Sequence, residues 1–436
     1  MSRLDPSLQP AATSGMGMLS QRFEQMKSDF RAQFGTSFDL LRDTAIYETP
    51  LYKFLERMPK GADLHAHADA ILPMDMQVEF LKDHPELVIT PEWQIRFIGP
   101  GAPYGSRTMQ ECLDDGLTVD DFRRNWTVAG APRNGYIWDW FEGIFTKCGA
   151  ICITPALVQD YYTRVMLHYH SIGVEHLELR SPFFGTRQDA QARAEAYIRA
   201  LAEVRKVDPV FTLSIIACAG KNEVWDPLFD LLIDNAVWVW KNVKDGKYDL
   251  VKAIDIVNDE DRSYSLARYE DRVRKIIVEN PGLRLTLHAG ESLRGENEEI
   301  AIALRCGIYR LGHGFNLYRY PEMEKAVLEK GIPMEICPVS NAALGYCRDF
   351  AKHPAKQYME SGIPIIICSD DAAYQSRSIL TGDYLAVAVG WDLSLAQIRQ
   401  LCRISIENSF LIPARKQVLR NWFKSAWKQF EKESMS

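Results

Sequence analysis

The sequence contains no apolar run long enough to cross a bilayer, and its first residues, MSRLDPSLQPAATSG, hold no apolar core of signal-peptide length. A membrane partner is therefore not expected, and the expected location is cytoplasmic. Blocks of basic residues are also missing. The 51 Lys and Arg are interspersed among 58 Asp and Glu for a net charge of -7, which leaves no stripe for a phosphate backbone and no expected nucleic-acid partner. The nine cysteines are odd in number and dispersed, with Cys218, Cys337 and Cys368 inside apolar runs, so a disulfide scaffold is excluded. Cys148 and Cys152 have no matching second pair and read as buried thiols, not as a zinc knuckle. No Pro-Cys-x-x-Cys pattern occurs, which excludes the nucleic-acid cytidine deaminases. No internal repeat is visible.

What is present is ample core material, 47% hydrophobic over 436 residues. Residues 1–18, rich in Ser, Pro, Gly and Ala, read as a tail. From Leu19 the pattern LSQRFEQMKSDFRAQF sets Phe23, Met26 and Phe30 at helical spacing, opening a helical extension over 19–57. Its apolar stripe needs cover, either from the outside of the main domain or from a second copy, giving a homodimer through the N-terminal helices. Eight short β-branched runs then follow, GADLHAH, VEHLELR, FTLSIIACA, LVKAIDIV, LRLTLHAG, IYRLGHG, PMEICPVS and PIIICSDD. From the second run onward they alternate with helical stretches, which predicts a single (β/α)8 TIM barrel of the α/β class over 58–436. About a hundred residues separate the first two runs, so a helical insertion is expected near 75–170. In it Trp138, Phe141 and Phe145 have helical spacing and are expected to pack the core more than to wall a pocket.

The polar residues gather at strand ends: His65, His67, His288, His313, Asp370 and Asp371. In a barrel those ends converge on one mouth, where active sites of this fold lie. His65 and His67 alternate at period two and face the same side; with His288 and Asp370 they make three nitrogens and one oxygen, a set suited to Zn(II) with room for water. Glu291, three residues after His288, is placed to shuttle protons without being a ligand. His313 lies between glycines, so its ring is unobstructed and could stabilise an alkoxide or polarise a leaving group. Asp371 points away from Asp370 and faces substrate or supports the metal ligands.

These residues resemble the adenosine deaminase family, and within it the adenosine deaminase growth factor branch. The resemblance is carried, from about Met58 to the end of the chain, by MPKGADLHAHADA, VKAIDIVNDED, LHAGES, RLGHGFNL, EICPVSNAALGY, KHPAKQYMESGIP and IIICSDDAAY. It implies a zinc-dependent hydrolytic deaminase of adenosine or a related purine nucleoside, with one Zn2+ held by His65, His67, His288 and Asp370. It further implies that Glu291 donates a proton to purine N1, His313 orients the attacking hydroxide, Asp371 hydrogen-bonds N7 and Asp69 lies near a ribose hydroxyl. Two positions depart from the family pattern: Asn258 stands where Gly is usual beside purine N3, and Ala372 where Pro follows the Asp pair. The branch is often secreted, and an extracellular role is not carried over. Two other readings compete. A hydrolase of another aminated heterocycle or modified adenosine is one; the lysine that bridges two metals in many such enzymes is absent from the end of the fourth run, Val257, Asn258, Asp259. A non-catalytic nucleoside-binding homologue is the other, although no ligand or proton shuttle has been lost.

Overall fold

Each of the eight runs is a strand. In the computed structural model, which describes residues 14–99, 101–132 and 134–435, they are β1 Gly61–His67, β2 Val174–Ser181, β3 Thr212–Gly220, β4 Val251–Val257, β5 Arg284–Ala289, β6 Arg310–His313, β7 Met334–Ile336 and β8 Ile365–Ile367. Successive strands pair in parallel from β1 to β8. The ring closes between β8 and β1 through an Ala66–Asp370 bridge, where Asp370 N–H donates to His65 O at 2.8 Å and His67 N–H donates to Asp370 O at 3.3 Å. With helices around the outside this is a (β/α)8 barrel.

The apolar residues of the runs mostly face the surrounding helices. The barrel interior, usually filled by Val, Ile and Leu, instead holds a buried column of charge. His176 and Glu178 meet at 3.1 Å, and Arg310 donates to Glu178 at 2.6 Å and also to Glu335. Arg180 then donates to Glu335 and, at 2.8 Å, to Asp255. Every member is fully or almost fully buried, so each charge is stable there only because its partners are.

Helix α1, Ser14–Phe34, begins earlier than the apolar stripe that announces it. Leu19, Phe23, Met26 and Phe30 are buried against helix α2, Pro50–Arg57, and the helices Thr381–Gly390 and Pro413–Met435. Phe23 stacks on Phe54 at 5.5 Å, and Phe54 on Phe430 at 4.9 Å. The stripe is thus covered by the chain itself and supplies no reason for a second copy. Deleting residues 1–18 is expected to leave the melting temperature unchanged, since among the described side chains burial begins at Leu19. Deleting 1–45 also uncovers the α2 and C-terminal faces, at about 1.5–3 kcal/mol per lost apolar side chain. Thermal melts of the two truncations check this, and equal melting temperatures would overturn it.

Lys60 ties α2 to the barrel. Its buried ammonium donates to Leu55, Glu56, Met58 and Ile172 carbonyls at 2.8, 3.1, 3.1 and 2.7 Å. The first three belong to the end of α2 and the fourth to the end of helix α4, Pro155–Ser171. A cation there satisfies carbonyls that helix termini leave open.

Between β1 and β2 the chain is mostly helical, including helix α3, Ile137–Cys148, and α4. It also carries an antiparallel sheet of Leu87–Ile89, Ile95–Phe97 and Arg107–Thr108, which the sequence reading did not anticipate. Two- and three-residue strands are too short to show a period of two. Helix α3 lies against the barrel mouth: Trp138 and Phe141 are buried, Trp138 donates to the Tyr346 hydroxyl at 2.9 Å, and Phe145 packs edge-on to Tyr374 at 5.2 Å. The aromatics are core and mouth wall at once.

Candidate active site

The strand ends that bear polar residues also bear backbone strain. Asp69, Asn258, His313 and Asp370 all have positive φ, at 70°, 96°, 60° and 56°. Asp, Asn and His are the non-glycine residues that tolerate this region best, and such strain persists where the surroundings over-determine it, typically at functional sites. A register shift in β1 between Asp63 and Ala66 accompanies it.

His65, His67, His288 and Asp370 converge. The three Nε2 atoms are 3.1, 3.2 and 3.3 Å apart, and Asp370 Oδ1 lies 3.2 Å from His67 Nε2 and 3.5 Å from His65 Nε2. A tetrahedral ion with bonds of about 2.0–2.1 Å sets its ligands roughly 3.3 Å apart, so the set matches one ion. The opposite ring nitrogens are occupied: His65 Nδ1 lies 2.7 Å from Glu335 and His288 Nδ1 2.8 Å from Asp255. Donating there, both rings turn bare lone pairs toward each other, an arrangement that a cation relieves. By contrast His170, Glu175 and Asp208, also close together, show separations of 2.7 and 3.8 Å, those of a hydrogen-bonded pair with a bystander.

Glu291 and His313 stand beside this cluster, His313 Nε2 3.6 Å from Glu291 Oε2. Burial, reinforced by the charges of Asp370, Glu260 and Asp371, holds the Glu291 carboxyl well above the usual carboxylate range. Burial and the adjacent Asp370 do the same to Asp371, while burial keeps His313 neutral. Glu291 Oε1, His313 Nδ1 and Asp371 Oδ1 are buried with no hydrogen-bond partner among the described residues. Three unsatisfied polar atoms at one place are costly unless something else binds them. The glycines nearby are needed: a Cβ on Gly290, at φ 83°, would come within 2.8 Å of Asn316 Oδ1 and 3.1 Å of Gly314 Cα.

Asp69 sits at the same mouth. Its carbonyl accepts from Tyr161 and Tyr374 hydroxyls at 3.2 and 2.8 Å, and its carboxylate from Tyr162 at 3.3 Å. Asn258 Oδ1 accepts from Lys221 N–H at 3.0 Å, and its amide reaches Glu142 of α3 at 3.4 Å. With both ends of that amide engaged and φ at 96°, Asn258 acts through the backbone it permits. Asn258→Gly is expected to change the ratio of kcat/KM between purine substrates by less than about threefold; a tenfold change across a nucleoside panel would return the side chain to substrate recognition. Ala372 is buried at the start of a short helix, Ala372–Gln375, that carries Tyr374 toward Asp69.

Sequence reasoning missed the residues beneath the cluster: Arg180, Asp255 and Glu335. Their only signal was a charged residue within or at the end of a β-branched run, which in a sheet covered on both faces points into the barrel.

The adenosine deaminase family model matches residues 239–424, a stretch that holds Asn258, His288, Glu291, His313, Asp370 and Asp371. The human protein adenosine deaminase 2 is 27% identical over 425 residues, covering 88% of this chain and 81% of that one. Over that stretch the chain is similar to the adenosine deaminase family. Among solved structures, the N6-mAMP deaminase of Arabidopsis has this family's fold in common with it at a TM-score of 0.62 and 18% identity, over 86% of this chain and 99% of that one. A COG1816 amidohydrolase from Burkholderia ambifaria, solved with bound Zn, superposes at a TM-score of 0.65 and 16% identity over 91% and 98%.

Proposed function

We propose that this chain hydrolytically deaminates adenosine or a related purine nucleoside, giving the inosine-type product and ammonia, with one zinc ion held by His65, His67, His288 and Asp370. The observation that carries this is the spacing of those four donors, close enough to hold a single ion and set beside a buried carboxyl that is no part of it. Bound there, Zn(II) supplies a Lewis acid that makes water a competent nucleophile at neutral pH.

The remaining work falls to the chain's own residues. Glu291, protonated through burial, donates to the ring nitrogen beside the attacked carbon, so the ring loses aromaticity without building charge. His313 orients the attacking oxygen. Asp371 hydrogen-bonds N7 and, with Asp69 toward the ribose, sets the purine plane. Glu291, His313 and Asp371 are buried, which strengthens each of these contacts. Hydrolysis ends with the C–N bond broken: water gives its oxygen to the ring carbon, one proton to the leaving amine and the other back to Glu291, while the ring nitrogen keeps the proton it received.

The reading is tested by following the ultraviolet change on deamination across adenosine, 2′-deoxyadenosine, N6-methyladenosine, AMP and adenine, with metal quantified in the same preparation. Turnover of at least one nucleoside, with about one zinc per chain, is expected. Zinc-loaded protein inert to the whole panel would overturn the reaction, and two metals per active chain would overturn the single site.

A further inference from the structure

The loop that leaves β4 grips several parts of the mouth with successive side chains. Asn258 holds the turn after β3 and reaches α3, as described above, and Asp259 accepts from the Tyr136 hydroxyl at 2.9 Å just before α3. Glu260 turns the other way. Its Oε2 accepts from Gly290 N–H at 2.7 Å and from Glu291 N–H at 3.1 Å, and its Oε1 accepts from the Asn297 amide. Asp261 follows by accepting from the Ser292 hydroxyl.

Glu291 has little else to locate it. Among the described residues one of its carboxyl oxygens has no hydrogen-bond partner, and the other is 3.6 Å from His313. The position of the acid is therefore inherited from its backbone. That backbone follows a glycine at φ 83° packed too tightly for a Cβ, and two consecutive amides there end on one carboxylate.

We propose that Glu260 is a positioning residue for Glu291: by accepting both amide hydrogens it fixes where the acid meets the substrate, and so acts on the chemical step and not on substrate binding. The proposal rests on Glu291 being the proton donor. Misplacing a reacting group by about 1 Å costs on the order of a hundredfold in rate, whereas binding contacts through Asp69 and Asp371 are untouched.

The test compares Glu260→Ala with Glu260→Gln in the metal-loaded enzyme. Glu260→Ala is expected to lower kcat by about 30- to 100-fold with KM changed less than about threefold and with metal content unchanged. Glu260→Gln keeps an oxygen for both amides, and the Asn297 amide can turn to present Oδ1, which has no partner among the described residues; kcat should return to within about fivefold of wild type. Amide exchange followed by mass spectrometry should show residues 289–292 losing protection in the Ala variant and regaining it in the Gln variant. Should Glu260→Ala fail to fold, Asn297→Ala loosens the same carboxylate and should give a smaller loss in kcat with KM kept. Unchanged kcat, an effect confined to KM, a Gln variant as impaired as Ala, or unchanged exchange at 289–292 would each overturn the proposal. If the wild type turned over no purine, the exchange comparison would still decide the clamp while the function assigned above fell.

Discussion

Glu291→Gln is expected to lower kcat by about a thousandfold, roughly 4 kcal/mol of transition-state stabilisation, with metal content and fold unchanged. Glutamine matches the shape of a protonated carboxyl and offers an N–H to the ring nitrogen, so substrate binding should persist. What it lacks is a proton to give. Because its carboxyl stands 3.6 Å from His313 and is not one of the four clustered donors, elemental analysis should find wild-type zinc. The sharper outcome is the pairing of the two measurements: near-normal turnover would remove Glu291 from the mechanism, and lost zinc would make it part of the metal site.

Arg180→Met is expected to cost about 3–5 kcal/mol of stability, the usual consequence of stripping one partner from a buried ion pair. Arg180 is fully buried and serves both Asp255 and Glu335, so methionine fills the space but leaves Asp255 without its guanidinium and Glu335 with that of Arg310 alone. They take up protons. The pKa of Asp255 lies well below the normal carboxylate range in spite of burial, through the neighbouring His288 and Arg180, and Glu335 is held down by Arg180 and Arg310. Once protonated, each accepts more weakly from His288 and His65, and the rings are held less firmly with Nε2 inward. Zinc affinity should fall by about 10- to 100-fold together with the stability loss. Urea denaturation and chelator competition measure the two, and a variant as stable as wild type would show that the column is not held together by charge pairing.

How far the sequence could be read depended on what each residue does to periodicity. The eight β-branched runs were visible because strands covered on both faces are apolar throughout, and His65, His67, His288, His313, Asp370 and Asp371 were visible because they interrupt those runs at their ends. The structure brings these six together at one mouth. Arg180 and Glu335 interrupt runs too, yet a lone charge near a strand end reads equally well as the place where the strand leaves the core. Only three-dimensional pairing distinguishes the two. Glu260 was less legible still, since NDED looks like a solvated acidic turn, and its role lies in two backbone amides that no side-chain pattern announces. The same holds for Lys60, whose partners are all carbonyls, and for the small antiparallel sheet, whose strands are shorter than one readable period.

The seam between β8 and β1 has a consequence for the order in which the molecule is made. Asp63, next to the seam, accepts from Ser369 across 306 positions of chain, and the metal-binding donors straddle the same joint, His65 and His67 on one side and Asp370 on the other. During synthesis β1 emerges early and waits with an unpaired edge until β8 exists, a long-range closure of the kind that folds slowly and leaves strand edges open to wrong partners. An ion binding before closure meets only His65, His67 and His288; the fourth donor arrives with the last strand. The set of four donors that could hold an ion is therefore complete only once the first and last strands have found each other.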